Sequence, residues 1–163
     1  MLIMDVDGVL TDGQMIFTNQ GDELKSFDVK DGTGITLAHR AGLLTAILTG
    51  KCSQIVTRRA EQLGISYCRQ DLRDKLEAYE AMKKEKGLSD EEIAYIGDDL
   101  IDIPAMRRAG LAVAVADAVE EVKAEAHLIT RRSGGKGAVR ETVEFILKAQ
   151  GRWEGLLNKF YGI

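Results

Sequence analysis

Short apolar runs alternate with longer helical patterns along this chain, and that alternation limits the folds open to it. LIMDV (residues 2–6), LLTAILT, ISYC, IAYIG, LAVAV and HLIT have the length and composition of buried strands. The stretches between them have helical character. SQIVTRRAEQLG carries Ser53 as an N-cap and Gly64 past its end. KLEAYEAMKKEKG, IPAMRRAG, AVEEVKAEA and GAVRETVEFILKAQ also read as helices, and DGTGITLAHRAG predicts one from about Thr33 to Gly42. SDEE resembles a capping box that opens a single turn. Crossover helices between buried strands predict an α/β chain with a Rossmann-like, mostly parallel sheet and helices on both faces. QMIFT and ELKSFDV flank NQGD and predict a small β-hairpin over about 14–29. The length of 163 residues suits a single domain over 1–163 that ends in a tail at about 152–163.

In sheets of this kind, functional groups gather beyond the carboxyl ends of the strands. The chain places acids there twice. In MDVDGVLTDG, Asp5 and Asp7 follow the first apolar run at a spacing of two, which in a strand turns both to one side. An Asp- and Gly-rich turn explains this motif alone equally well. In YIGDDLIDIP, however, Asp98, Asp99 and Asp102 follow another strand, and helix capping accounts for one of them rather than three. Two acidic clusters at neighbouring strand ends repel unless a cation sits between them, and oxygen ligands suit Mg2+. ILTGK adds Thr49 and the Gly50 amide, a hydroxyl and an open N–H able to hold phosphate oxygens. Lys75 precedes LEAYEAM, where a solvated lysine is the plainer reading of that residue alone. The four features together point to phosphate chemistry.

This combination resembles the haloacid dehalogenase superfamily of phosphotransferases, with Asp5 and Asp7, then Thr49, Lys75 and GDDLID standing where its four motifs stand. DVDGVLTDG, FDVKDGTGI, GDDLIDIPAM, AVADA and GGKGAVRE narrow the likeness to its family of 3-deoxy-D-manno-octulosonate 8-phosphate phosphatases, over Leu2 to about Gly151. The resemblance implies a Mg2+-dependent phosphatase of lipopolysaccharide precursor synthesis that forms homotetramers. It implies Asp5 as nucleophile, Asp7 as general acid and base, and Mg2+ held by Asp5, Asp98 and the Asp7 carbonyl. Thr49, Gly50 and Lys75 would face the phosphoryl group. Asp99 and Asp102 would stand behind, orienting the metal's waters or Lys75, with an N-cap as the other reading of Asp102. The family more often has arginine where this chain has Lys51, and only arginine offers a planar fork to an anion. Relatives usually carry a longer leader, so either a short first strand or an incompletely represented start is expected.

Lys30, Lys51, Arg59 and Lys136 are the candidates for binding the sugar's anionic groups, with an exposed helix charge an equal reading of Arg59 and a plain helix-entry loop an equal reading of Lys136. The hairpin is too small for a cap domain; it serves as a flap, or as an oligomer contact through Ile16 and Phe17. His39 and His127 lack metal-spaced partners and read as packing residues. The tail GRWEGLLNKFYGI is apolar enough either to pack on its own subunit or to reach a neighbour's site.

The 45% hydrophobic content excludes a disordered chain, and a net charge of −4 gives no sign of a nucleic-acid surface. No membrane span or signal peptide is visible, and Cys52 and Cys68 read as reduced thiols, so a cytoplasmic location is expected. Three other readings compete. A receiver-type signalling domain would carry its phosphoacceptor at a middle strand, where this chain has Thr49-Gly50. A non-catalytic assembly domain, like those fused to sialic-acid cytidylyltransferases, would have lost some of the acids or the lysine. A phosphatase for a nine-carbon keto-deoxy sugar phosphate keeps all of them.

Overall fold

A computed structural model describes residues 1–161. Its centre is a six-stranded parallel sheet, formed by β1 (Leu2–Met4), β4 (Thr45–Leu48), β5 (Tyr67–Arg69), β6 (Ala94–Gly97), β7 (Leu111–Ala114) and β8 (Leu128–Ile129). The order is β5-β4-β1-β6-β7-β8, with Leu2 paired to Thr45 on one side and to Ala94 on the other. The chain thus builds outward from β1 in one direction, then returns to build in the other. The mouth of β1, between β4 and β6, is the crevice where such sheets bind ligands. Every residue of β1, β4 and β6 is buried, because both faces are covered.

The helices are α1 (Val29–Arg40), α2 (Gln54–Leu63), α3 (Lys75–Lys86), α4 (Ile103–Met106), α5 (Glu120–Glu125), α6 (Ala138–Ala149) and α7 (Trp153–Tyr161). They pack in two groups, with α1 against α2 and α6, and α4 against α3 and α5. Helix α1 starts a turn earlier than its sequence pattern suggests. Asp28 caps it by accepting from the Lys30 N–H, and the glycines that look like breakers, Gly32 and Gly34, lie inside it. They are there for close approach: a Cβ on Gly34 would stand 3.0 Å from the Arg140 Cα of α6. The first strand is shorter than 2–6, so Asp5 and Asp7 lie past its end. The hairpin comprises only β2 (Ile16–Phe17) and β3 (Glu23–Leu24), paired antiparallel; its sequence-defined end at residue 29 belongs to α1. Ile16, Phe17 and Leu24 are exposed on it.

The tail docks on its own subunit. Trp153 and Leu156 are buried, α7 lies against α6, and the Trp153 ring has Arg140 at 5.4 Å and Lys148 at 5.3 Å from its centroid. The last two residues of the expected tail, 162 and 163, lie outside the described residues. The histidines are not simple packing residues. His39 Nε2 shares a hydrogen bond with Thr45 Oγ1 at 2.6 Å, and His127 Nδ1 accepts from the Ala112 N–H at 2.9 Å across the sheet edge.

Candidate active site

The chain leaves β1 through a tight turn in which the Val9, Leu10 and Thr11 N–H groups all converge on the Val6 carbonyl. The buried Thr11 hydroxyl donates to that same carbonyl. Gly8 makes the turn possible: its φ is +100°, and a Cβ there would lie 2.0 Å from Asp98 Oδ2. The Gly-rich turn before α6 packs on the same loop, with the Gly135 N–H donating to the Val9 carbonyl at 2.9 Å.

Beyond the strand end, alternation no longer governs direction, and the two acids of the first motif part company. Asp5 is buried and faces Lys75, whose Nζ is 2.8 Å from Asp5 Oδ1 and 2.7 Å from Asp102 Oδ1. Asp7 instead meets Lys25 of the hairpin through Oδ1. Asp102 has no exposed surface and accepts four hydrogen bonds: from Lys75 and Tyr95 at Oδ1, and from the Asp98 and Asp99 N–H groups at Oδ2. It fixes Lys75 and the second acidic loop, and does not cap α4. Asp99 does not share that work; it is exposed and accepts from the Leu100 N–H, capping the 3-10 turn Leu100–Asp102.

Asp5, Asp98 and Asp102 each bring an oxygen within 4.8 Å of the others. Burial, with repulsion from Asp102, raises the Asp5 carboxyl despite Lys75. Burial, then repulsion from Asp5 and Asp102, holds Asp98 well above the usual carboxylate range. Asp98 Oδ1 is buried without a hydrogen-bond partner. Burial pulls the Lys75 ammonium down, but Asp5 and Asp102 outweigh it and leave Lys75 above its ordinary value. A hard divalent cation relieves both the repulsion and the orphaned oxygen, so the donor set fits magnesium. Asp102 has its acceptor capacity filled, which leaves Asp5 and Asp98 as the carboxylates free to take a metal.

The remaining sequence candidates divide. The Thr49 side chain is buried at the end of β4, and Gly50 follows it, half-buried. Lys51 is exposed and reaches the hairpin, with Nζ 3.0 Å from Met15 Sδ. Lys30, Arg59 and Lys136 are joined to the acidic cluster by no hydrogen bond or ion pair among the described residues. Lys30 lines a hollow with Arg132 and Arg140, Arg59 lies over the Phe27 ring beside Gly32, and Lys136 stands 3.9 Å from Asp12. Thr11, Lys25 and Tyr95 were not singled out by sequence reasoning. The Lys25 signal, a lone lysine in ELKSF, becomes meaningful only once the hairpin folds back over Asp7.

A family model of haloacid dehalogenase-like hydrolases matches residues 46–141. The chain is also 47% identical over 155 residues to 3-deoxy-D-manno-octulosonate 8-phosphate phosphatase of Yersinia pestis, covering 95% of this chain and 83% of that one. The chain belongs to the haloacid dehalogenase-like hydrolases. This hydrolase is also 45% identical to the phosphatase of the same name from Escherichia coli K12, over 93% of its own length and 81% of the other. Among solved structures, the Yersinia pestis phosphatase matches with a TM-score of 0.93 at 47% identity, covering 94% of this chain and 83% of that one. The Moraxella catarrhalis phosphatase, solved in complex with magnesium, phosphate and the eight-carbon sugar acid, matches with a TM-score of 0.95 at 44% identity, covering 98% and 91%. The parallel α/β sheet covered by helices is therefore the Rossmann-like architecture expected from sequence.

Proposed function

We propose that this hydrolase is a Mg2+-dependent phosphatase that converts 3-deoxy-D-manno-octulosonate 8-phosphate to the free sugar acid and phosphate, in lipopolysaccharide precursor synthesis. Buried Asp5 carries the reading, held by Lys75 beside an acid, Asp98, that lacks a partner of its own. Residues 1–163 act as one domain. Asp5, Asp98 and the Asp7 carbonyl would hold magnesium, which would cancel charge between the nucleophile and the phosphate dianion. Asp5 attacks phosphorus, the bond from phosphorus to the sugar oxygen breaks, and Asp7 gives that oxygen a proton. Water then attacks the aspartyl-phosphate, Asp7 takes the water's proton, and Asp5 is released. Lys75, the Thr49 hydroxyl and the Gly50 N–H steady the phosphoryl oxygens, and Lys75 adds positive charge where negative charge builds.

The hairpin supports a homotetramer, since Met15, Ile16, Phe17 and Leu24 form an exposed apolar run that a partner copy would cover. A cytoplasmic location agrees with the absence, among the described residues, of any helix long and apolar enough to cross a membrane. The deciding experiment is steady phosphate release from eight-carbon and nine-carbon keto-deoxy sugar phosphates and from hexose phosphates, with and without magnesium. The expected outcome is magnesium-dependent turnover with the highest kcat/KM on the eight-carbon substrate. A higher kcat/KM on the nine-carbon substrate reassigns the sugar, and no turnover on any of them makes this an assembly domain.

A further inference from the structure

Each carboxylate of the Asp5-Val6-Asp7 motif has a lysine of its own. Lys75 serves Asp5; Lys25, from the hairpin, serves Asp7. The Lys25 side chain is only 2% exposed, and its Nζ lies between Asp7 Oδ1 and Glu23 Oε1, the latter at 3.1 Å. The chain of contacts continues. Glu23 Oε2 accepts from the Ser53 hydroxyl at 2.8 Å, and the Ser53 N–H donates to Gln70 Oε1 at 2.7 Å. Ser53 lies two residues past the Thr49-Gly50-Lys51 loop. One buried ammonium therefore ties together the loop after β1, the hairpin and the segment after β4.

Burying an ammonium costs several kcal/mol unless its partners are well placed. A hairpin with strands of two residues is not stable alone, and its apolar side chains at Ile16, Phe17 and Leu24 point outward. The hairpin is thus seated through polar contacts, of which Lys25 makes the one to Asp7, beside Glu23 with Ser53 and Lys51 with Met15. The same contact occupies one oxygen of Asp7 and leaves Oδ2 without a hydrogen-bond or ion-pair partner among the described residues.

We propose that Lys25 is a positioning residue for proton transfer, clamping Asp7 Oδ1 so that Oδ2 meets the oxygen that leaves phosphorus. This rests on the phosphatase reading above. Lys25 keeps its protons throughout: as the bond from phosphorus to the sugar oxygen breaks, the proton passes from Asp7 Oδ2 to that oxygen. The attack of water on the aspartyl-phosphate draws on Asp7 whatever the substrate, but in the step that forms it a misplaced Asp7 harms only substrates whose leaving group needs the proton. An alkoxide needs it; a nitrophenolate does not.

The test compares wild type, K25M, K25R, D7N and K25M/D7N on 3-deoxy-D-manno-octulosonate 8-phosphate and p-nitrophenyl phosphate in saturating magnesium. With enzyme in excess, so that one round of leaving-group release is read, K25M should slow release of the sugar by about 30- to 100-fold, the range for a displaced acid-base group, and release of nitrophenolate by less than about fivefold. K25R, which keeps the charge, should recover much of the sugar-phosphate loss. In the D7N background, K25M should remove less than about twofold more, since Lys25 acts through Asp7. Equal losses in release from both substrates, or a full further loss in the D7N background, overturn the proposal, as does a rate of sugar release within about threefold of wild type. If K25M does not fold, E23Q loosens Lys25 from its other side. It should give a smaller loss with the same substrate bias, and equal loss on both substrates again overturns the proposal. A wild-type protein idle on both substrates sinks the phosphatase reading and the Lys25 inference with it. An active wild type without substrate bias among the variants sinks the Lys25 inference alone.

Discussion

Asp102 accepts four hydrogen bonds, and no amide can take its place. An Asn there must turn its NH2 either toward Lys75 and Tyr95 or toward the Asp98 and Asp99 N–H groups, setting donor against donor in a buried site. D102N should lose about 3 kcal/mol or more of stability in urea unfolding, and kcat should fall at least about 100-fold. Y95F removes one donor and leaves the other bonds in place. It should cost only about 1 kcal/mol, with kcat within about tenfold of wild type. A D102N protein as stable as Y95F would show that the buried network is not what holds Lys75. Gly8 invites a separate check. A methyl there collides with Asp98 Oδ2, so G8A should weaken magnesium binding by at least about tenfold in calorimetry; unaltered affinity would mean that Asp98 does not hold the ion.

Helices α1 and α6 are joined by a buried acid. Asp31 accepts from the Gly137 N–H at 3.2 Å and from the Arg140 N–H at 2.7 Å, so a residue inside one helix caps the start of the other. Burial pushes the Asp31 carboxyl up to about 6, against the pull of those donors. Because the folded value exceeds the unfolded one, the native protein binds the extra proton between roughly pH 4 and pH 6. Stability from this group therefore falls as pH rises through that window, by on the order of 2–3 kcal/mol. In saturating magnesium, unfolding measured from pH 4.5 to 7 should show that fall in wild type, and D31N should flatten it. The cap also marks where the sequence was legible. The apolar runs gave away every sheet strand, and Gly64 and Ser89 gave away ends of helical turns, because those signals are local. The start of α1 was not legible: Gly32 and Gly34 look like punctuation until α2 is seen against the first and α6 against the second. The acids at the two strand ends were readable from the chain. Lys25 and Tyr95 were not, since Lys25 meets Asp7 only once the hairpin folds back and Tyr95 meets Asp102 only through the turn after β6, and Arg59 and Lys136 have contacts that local charge could not foretell.

At the scale of the molecule, the hairpin and the tail face different environments. The hairpin's apolar side chains have no cover of their own, and the tetramer reading gives them one. The pair I16D and F17D should shift the protein from tetramer to smaller species in light scattering, while a tetramer that persists would place the interface elsewhere. The tail already has cover. Removing residues 152–163 strips Trp153 and Leu156 from α6 and should cost about 2–4 kcal/mol in thermal or urea unfolding. If instead stability holds and kcat and KM move together, the tail acts on a neighbour's site.

The placement of β1 has a consequence for how the molecule comes into being. Residue 2 is paired with residue 45 on one side and residue 94 on the other, so β1 is made before both of its partners and gains its second edge only with β6. Until β6 is synthesised, one flank of β1 lies open, a template for any other strand nearby. The acids are in the same position. Asp5 is translated well before Lys75, Asp98 and the turn around Gly135 that closes the loop at Val9. A nascent chain therefore carries Asp5 long before it carries a site, and in the phosphatase reading chemistry begins only once the turn around Gly135 has been threaded into place.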